Sequence, residues 1–194
     1  MTGEPRLPPL PPERWDEDVQ AALRKAFGAV PTAEMPNVVT TLLHHPGLAG
    51  PFLAYNFTLL RKPVLDERLR ELIILRVGWR TAATYEWLQH VRLARRAGIT
   101  DDEIAAVASG APGGVWSDLE ADLLAATDQL IDGYRVDDRT WGRLAGHLDE
   151  RQLVEMVFVV GTYVCLAMAF RSFGIQPDAD LADVGAPAVP ASGD

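Results

Sequence analysis

His90 has the surroundings that proton-transfer chemistry needs. Histidine titrates nearer to neutral pH than any other unperturbed side chain, and Glu86 precedes His90 by four positions. Residues four positions apart share one face of a helix, so these two side chains would lie together. Glu71 interrupts an apolar run farther upstream, and an antiparallel pair of helices would bring it to the same place. Two carboxylates around one imidazole can hold the ring in one tautomer and let it exchange protons near pH 7.

The same residues also admit structural roles. A glutamate and a histidine at this spacing often form a solvated surface pair, and Glu71 can instead pair with Arg68 or Arg70. The other three histidines lie near predicted helix ends, where a protonated ring complements the C-terminal dipole: His44, His45 and His147. Spacing alone therefore does not distinguish a catalytic role of these residues from a structural one.

Aromatic side chains surround the polar group in the sequence. Trp79, Tyr85 and Trp87 suit a pocket wall in which the two tryptophans exclude water and stack on a substrate. Rings at helical spacing are equally common in a core. Arg76 would bind a substrate carboxylate if its side chain turns inward. A metal site is not expected, because one histidine with two glutamates lacks the second histidine of the common facial triad.

These residues lie in a chain whose periodic segments are almost all helical. Apolar residues recur at three- and four-residue spacing, and no stretch shows strand alternation. Plausible N-caps are Asn37, Asp66 and Asp149. Gly98 suits a helix C-terminus, and residues 100–103 and 117–120 have the capping-box pattern. The predicted fold class is therefore all-α, a compact bundle of about eight helices.

Composition excludes several classes of protein. The chain has 194 residues, with 18 Lys and Arg against 27 Asp and Glu, and such an acidic surface repels nucleic acid. Cys165 is the one cysteine, so internal disulfides and cysteine-rich metal centres are excluded. The apolar uncharged stretch at residues 156–170 is shorter than the roughly 20 residues of a membrane span. The N-terminus lacks the apolar region of a signal peptide, so a cytoplasmic protein without membrane contact is expected.

Three regions differ in composition. Residues 1–12 hold five prolines, which favours an extended arm. Residues 13–176 carry the helical periodicity and form the predicted single all-α domain. Residues 177–194 have no basic residue and few large apolar ones, which predicts a flexible acidic tail.

Six short motifs are shared with a known family. They are HPGL at 45–48, RLRELIILRV at 68–77, YEWLQH at 85–90, AGITDDE at 97–103, DERQLVE at 149–155 and GTY at 161–163. With these motifs the chain resembles the carboxymuconolactone decarboxylase family, whose fold is of the alkylhydroperoxidase D-like type. The resemblance covers about residues 37–174. It implies an all-α fold and assembly into a homo-oligomer, which would be a trimer, a hexamer or a dimer.

The resemblance points away from the thiol peroxidase branch of that family. This branch has the pattern Cys-x-x-Cys-x-x-x-His, with a glutamate on the preceding helix. Aligning its histidine with His90 puts Ala83 and Glu86 at the two cysteine positions and Glu71 at the glutamate position. Cys165 lies too far along the chain to replace a vicinal pair. Hydroperoxide reduction by a dithiol is therefore excluded, and the resemblance implies a non-thiol member.

The function implied is acid–base chemistry, without a cofactor, on a small carbonyl or lactone carboxylic acid. Decarboxylation leaves an enolate, which an imidazole can stabilise and protonate, and isomerisation or dehydration would use the same groups. His90 would take this role, Glu86 would orient the ring or act as a second acid or base, and Glu71 would tune the pair. Such an enzyme would be a carbon–carbon lyase. The alternative is a catalytically inactive helical oligomer that binds a small hydrophobic ligand or a protein partner.

Overall fold

α-Helices make up the regular structure of the chain. The computed structural model describes residues 4–31, 34–109, 115–181 and 183–190, and these contain nine α-helices, two short 3-10 helices and no strand. The α-helices are α1 Glu17–Phe27, α2 Asn37–Leu42, α3 Pro46–Arg61, α4 Glu67–Arg80, α5 Thr84–Arg96, α6 Asp101–Ser109, α7 Asp118–Gly133, α8 Asp138–Leu144 and α9 Glu150–Phe173. The predicted all-α class is confirmed, with one helix more than the expected eight.

The chain divides into two compact units. The first comprises residues 1–62 and 170–182, and the second comprises residues 63–169 and 183–194. Helices α1, α2 and α3 belong to the first unit, whereas α4 to α8 and most of α9 belong to the second. The predicted boundaries of arm, domain and tail stay predictions, and part of the arm and of the tail lies outside the described residues.

In the first unit, α1 and α3 pack closely around an apolar core. Val19, Ala22 and Leu23 of α1 are buried in it. Gly50 of α3 permits the close approach, because a Cβ atom at this position would lie 3.2 Å from the Cα atom of Ala22. Leu10 of the proline-rich segment is also part of this core, so the described end of that segment packs on the unit.

The ends of α2 and α3 differ from the prediction. Asn37 is the first residue of α2 and not its N-cap, and its Nδ2 atom donates to the backbone oxygen of Gln176 over 3.1 Å. His45 caps the N-terminus of α3, where its Nδ1 atom accepts from the N–H of Leu48 over 3.3 Å. A C-terminal position was predicted for His45. The physical reason for the difference is that Pro46 starts α3 at once, so His45 is placed before a new helix.

α4 is the central helix of the second unit. Its interior is buried on every side, through Arg70, Glu71, Leu72, Ile73, Ile74, Leu75, Val77 and Gly78. Helices α5, α6 and α7 all pack against it. The core cluster of this unit includes Leu72 and Leu75 from α4 together with Trp87 and Val91 from α5. The buried side chains of α4 are therefore held in place by the three helices that pack around it.

Arg68 ties the start of α4 to α6 and α7. Its guanidinium donates to Glu103 over 2.5 Å and to Glu120 over 2.8 Å. Both glutamates also close the predicted capping boxes of their helices, with Thr100 and Ser117. Each carboxylate therefore stabilises a helix N-terminus and pairs with the same arginine.

A residue with left-handed backbone conformation follows the end of α4 and another follows the end of α5. Gly98 follows α5 with a φ angle of 81°, as predicted. Ala82, between α4 and α5, has a φ angle of 52°, and the N–H of Ala83 bonds the backbone oxygen of Gly78 over 2.9 Å. Both ends are of the Schellman type. At Ala82 the left-handed position carries a Cβ atom, which is the strained arrangement.

Residues 183–190 pack on the core of the second unit. Val184, Ala186 and Val189 lie against its core cluster, and the Nε1 atom of Trp87 donates to the backbone oxygen of Pro187 over 2.8 Å. A flexible tail was predicted from residue 177 onward because the segment has so few large apolar residues. Three small apolar side chains and one hydrogen bond to a buried indole hold this part of it in place.

α9 is the one described helix that is long and apolar enough to cross a membrane by length and composition. Half of its most apolar window is buried in the structure, as in the core helix of a folded protein. Five exposed positions recur at alternating four- and three-residue spacing and are named here the α9 stripe: Val154, Phe158, Gly161, Cys165 and Met168. The absence of membrane contact and the cytoplasmic location stay predictions.

Candidate active site

Glu71 of α4 and His90 of α5 meet inside the second unit. The Nδ1 atom of His90 lies 2.7 Å from the Oε2 atom of Glu71. Glu71 is fully buried and His90 is 7% exposed. A short turn joins the two packed helices, so a position in the first half of α4 faces a position in the middle of α5. The contact predicted from the sequence is present, and the catalytic role of the pair stays a prediction.

Arg70 occupies the other oxygen of Glu71. Its Nη2 and Nε atoms lie 3.0 Å and 3.3 Å from Oε1 of Glu71, and the arginine is itself buried. The sequence left Arg68 and Arg70 open as partners of Glu71. The structure selects Arg70, because Arg68 is engaged by Glu103 and Glu120.

Glu71 carries a negative charge although it is completely buried. Burial acts to raise its pKa, but the contacts with His90 and Arg70 outweigh burial, so that the pKa lies below its ordinary value. An ionised carboxylate can only accept hydrogen bonds. The proton in the 2.7 Å contact therefore belongs to Nδ1 of His90, and Nε2 is the ring nitrogen left for a substrate. Among the described residues, Nε2 has no hydrogen-bond partner.

Glu86 is a buried acid one helical turn before His90. It is 1% exposed, and neither of its oxygens has a hydrogen-bond partner within the described part of the chain. Burial raises its pKa well above the ordinary value. Gly78 of α4 leaves room beside it, since a Cβ atom at position 78 would lie 3.6 Å from Oε1 of Glu86 and 3.3 Å from the backbone nitrogen of Trp87.

Tyr163 of α9 is a neighbour of the site to which the sequence assigned no role. Its ring lies edge-on to the imidazole of His90, with 4.9 Å between the ring centres and 89° between the planes. Tyr163 belongs to the shared GTY motif, which is the one signal in the sequence that points to it. The ring limits the positions that the imidazole can adopt.

The predicted aromatic pocket wall is instead part of the core. Trp87 is 1% exposed, packs with the core cluster of the second unit and lies 5.3 Å from Trp79 between ring centres. Tyr85 is buried, and its hydroxyl accepts from Gln89 over 3.3 Å. The stacking role predicted for the tryptophans is not supported, because Trp87 follows Glu86 by one position and so points about 100° away from it.

Arg76 does not turn toward the candidate site. Its Nε and Nη2 atoms each lie 2.8 Å from the carboxylate of Asp128 on α7, and Nη1 bonds the backbone oxygen of Val107 over 2.7 Å. These bonds engage all three guanidinium nitrogens. The substrate-binding role predicted for Arg76 is therefore corrected to a structural one that ties α4 to α6 and α7.

The two positions aligned with the family cysteines are sulfur-free and buried. Ala83 precedes α5 as its N-cap, and Glu86 is the buried acid described above. Cys165 is exposed on α9. In the described ranges no group of three or more His, Cys, Asp or Glu side chains could hold a metal ion. The expected lack of a metal and a cofactor stays a prediction.

Solved structures share this fold. A peroxidase-related protein with an alkylhydroperoxidase AhpD core from Ralstonia eutropha has a TM-score of 0.73 and 17% identity, covering 90% of this chain and 94% of that one. The apo debrominase Bmp8 has a TM-score of 0.71 and 16% identity, covering 92% and 95%. A variant of Bmp8 bound to 2,3,4-tribromopyrrole has a TM-score of 0.71 and 16% identity, covering 92% and 94%. At these identities the likeness shows the fold alone.

The family comparison agrees with the motifs. No match was found among curated proteins. Residues 46–129 match the carboxymuconolactone decarboxylase family, and this segment contains α4, α5 and the pair Glu71 and His90. The resemblance inferred from the motifs is confirmed over residues 46–129, the segment that matches the carboxymuconolactone decarboxylase family.

Proposed function

We propose that the chain is an acid–base enzyme that decarboxylates a small carbonyl or lactone carboxylic acid at Glu71, Glu86 and His90, without a cofactor. The observation that carries the proposal is the pairing of two unlike groups on one face of α5. Glu86 is a buried acid whose pKa is raised by burial, and His90 is an imidazole whose Nδ1 atom is held by an ionised carboxylate. Acid–base catalysis requires groups whose surroundings give them different affinities for a proton.

The charges of the site suit an anionic substrate. Arg70 offsets the charge of Glu71, with which it makes an ion pair at 3.0 Å, and burial favours the neutral form of Glu86. When His90 is protonated, its Nε2–H therefore presents a positive charge that no described carboxylate other than that of Glu71 contacts. A substrate carbonyl oxygen or carboxylate beside Nε2 would accept this hydrogen bond.

The proposed reaction moves one electron pair and one proton. The carbon–carbon bond to the substrate carboxylate breaks, carbon dioxide leaves, and the bonding electrons pass to the carbonyl as an enolate or dienolate. The imidazolium of His90 stabilises the enolate oxygen by its Nε2–H. Glu86 gives its proton to the substrate carbon and becomes a carboxylate, which regains a proton from water before the next turnover. Isomerisation, dehydration or lactone opening would start from the same proton transfers.

The test is turnover on a panel of β-keto acids and β,γ-unsaturated lactone acids. Carbon dioxide release is measured, and in deuterated water the deuterium that enters the product carbon is counted. We expect His90→Ala and Glu86→Gln to lower kcat by about 10²–10⁴-fold. His147→Ala is the matched control, because His147 is exposed, and it should keep the wild-type rate. Full turnover by His90→Ala would refute the assignment.

The panel also separates the proposal from other functions. A small halogenated pyrrole is included because the structural neighbour Bmp8 is a debrominase that was crystallised with 2,3,4-tribromopyrrole. Turnover of that compound and of no acid would overturn the proposed reaction class. Saturable binding of an acid to the wild-type chain without any product would instead support the non-catalytic ligand-binding protein.

A further inference from the structure

We infer that Arg70 is a positioning residue, which keeps the proton of the Glu71–His90 contact on the imidazole and so preserves the positive charge that the ring presents at Nε2. The inference deepens the proposed function and rests on it for the role of His90 in turnover. Arg70 touches no reacting group of the proposed mechanism and would act through Glu71.

The contact between Arg70 and Glu71 is not imposed by the helix. Consecutive residues of a helix project about 100° apart and do not face each other. The side chain of Arg70 nevertheless reaches Glu71, with two nitrogens within 3.3 Å of Oε1. The carboxylate is thereby divided, since Oε1 is occupied by the arginine and Oε2 by His90. This division leaves one oxygen for the ring and fixes its direction.

The charge of Arg70 matters because the pair is dry. Glu71 is fully buried, and a buried carboxylate without a cation takes up a proton. A protonated Glu71 would donate to Nδ1, which would then have to be the acceptor. The neutral imidazole would carry its proton on Nε2 and would lack the positive charge that the proposed reaction uses. With Arg70 in place, Glu71 only accepts, and the proton stays on Nδ1.

The charged and titratable neighbours of Arg70 offer a matched control. Glu67 lies 3.6 Å from the same guanidinium, but its side chain is 62% exposed, so this pair contributes little. Glu67→Gln removes the exposed partner of Arg70 and leaves the buried one. Glu86, on the face of α5 that carries His90, is unchanged in every variant.

The test reads the imidazole directly by nitrogen-15 NMR of the ring, without substrate. In the wild-type chain and in Glu67→Gln and Arg70→Lys, we expect the neutral ring to carry its proton on Nδ1. In Arg70→Met we expect the proton on Nε2. If Arg70→Met does not fold, Arg70→Gln takes its place, because it keeps a donor but no charge. Turnover on the acid panel is measured in parallel, and Arg70→Lys should restore most of what Arg70→Met loses.

The outcomes separate this inference from the proposed function. A folded neutral variant that keeps its proton on Nδ1, or an Arg70→Lys ring that has lost it, overturns the role of Arg70. A ring that switches as expected, in a wild-type chain that turns over no acid, leaves the inference standing and removes the proposed decarboxylation.

Discussion

The Nδ1 atom of His90 and the Oε2 atom of Glu71 are 2.7 Å apart in an environment that excludes nearly all water. Glu71→Gln keeps the shape of the side chain and removes the charge. The change leaves Arg70 buried without its ionised partner, so we expect the free energy of unfolding to fall by about 3–5 kcal/mol. Turnover should fall by about 10²-fold or more, because a neutral amide no longer stabilises the imidazolium of His90 that the proposed reaction uses.

Urea unfolding followed by circular dichroism measures the first effect. The control is Glu67→Gln, which removes an exposed partner of the same arginine and should change the stability by less than about 1 kcal/mol. Equal stability of the Glu71→Gln variant and the wild-type chain would contradict the buried ion pair.

Glu86 should make the protein less stable as the pH rises. Its pKa is raised by burial, so between pH 4.5 and the raised pKa the native chain holds a proton that the unfolded chain has released. Stability therefore falls through this window, by at most about 1.4 kcal/mol per pH unit. Glu86→Gln carries no ionisable group and should be more stable than the wild-type chain at pH 7 to 8, with the difference vanishing near pH 4.

The measurement for Glu86 is the unfolding free energy of both chains from pH 4 to pH 8. Glu34→Gln serves as the control, since Glu34 is exposed, and its difference from the wild-type chain should not grow with pH. A Glu86→Gln variant that gains no stability as the pH rises would show that this carboxyl is ionised in the native protein.

The Arg68 cluster should govern acid sensitivity. The hydrogen bond from Arg68 is the main cause that lowers the pKa of Glu103 to about 2. A lowered native pKa contributes stability that is present above pH 4.5 and is lost as the pH falls through about 2. Arg68→Gln should therefore lose about 1.5–3 kcal/mol at pH 6 and much less at pH 2. The pair of Arg135 and Asp138 is almost fully exposed, and Arg135→Gln should leave the acid profile unchanged.

Substitutions at Gly98 and Ala82 should change the stability of the protein in opposite directions. Both residues are left-handed, with φ angles of 81° and 52°, and a Cβ atom at Gly98 would meet no other atom within 4 Å. Only the backbone conformation then penalises Gly98→Ala, which should lose about 1 kcal/mol. Ala82→Gly should gain a similar amount. Thermal and urea unfolding of the two variants check this, and the same sign for both would contradict it.

The α9 stripe should support a homo-oligomer, which we propose forms between copies of this chain. Val154, Phe158 and Met168 are each more than half exposed, and the alternating spacing of the stripe matches the seam between paired helices. Phe158→Glu should lower the molar mass measured by light scattering at micromolar concentration. Leu48→Glu is the control, because Leu48 is equally exposed on α3. A wild-type monomer would remove the prediction.

The contact between Glu71 and His90 could be predicted because it depends on strong local signals. Asp66 marks the start of α4 and Gly98 the end of α5, and both are confirmed. The break between the helices is too short for anything but an antiparallel return. The distance between two positions on such a pair follows from helix geometry alone.

The directions of Arg76 and Trp87 could not be predicted in the same way. α4 is apolar on nearly all sides, so its pattern does not reveal which face meets α5 and which meets α7. Arg76 follows Glu71 by five positions, which turns it about 140° around the helix. The pairing of Arg70 with Glu71 could not be predicted for a different reason. A contact between adjacent residues depends on how the side chains bend, which no spacing rule describes.

The burial of α4 on every side also bears on how this framework can change in evolution. Arg68 bonds side chains of α6 and α7, and Arg76 bonds a carboxylate of α7. Glu71 holds the imidazole of His90 and is itself bonded by Arg70. A methyl group at Gly78 would crowd the backbone of Trp87. Few positions in the buried interior of this helix can therefore change without the loss of a contact. New substrate preferences in this framework should therefore arise through substitutions on α5 and α9, with α4 inherited nearly unaltered.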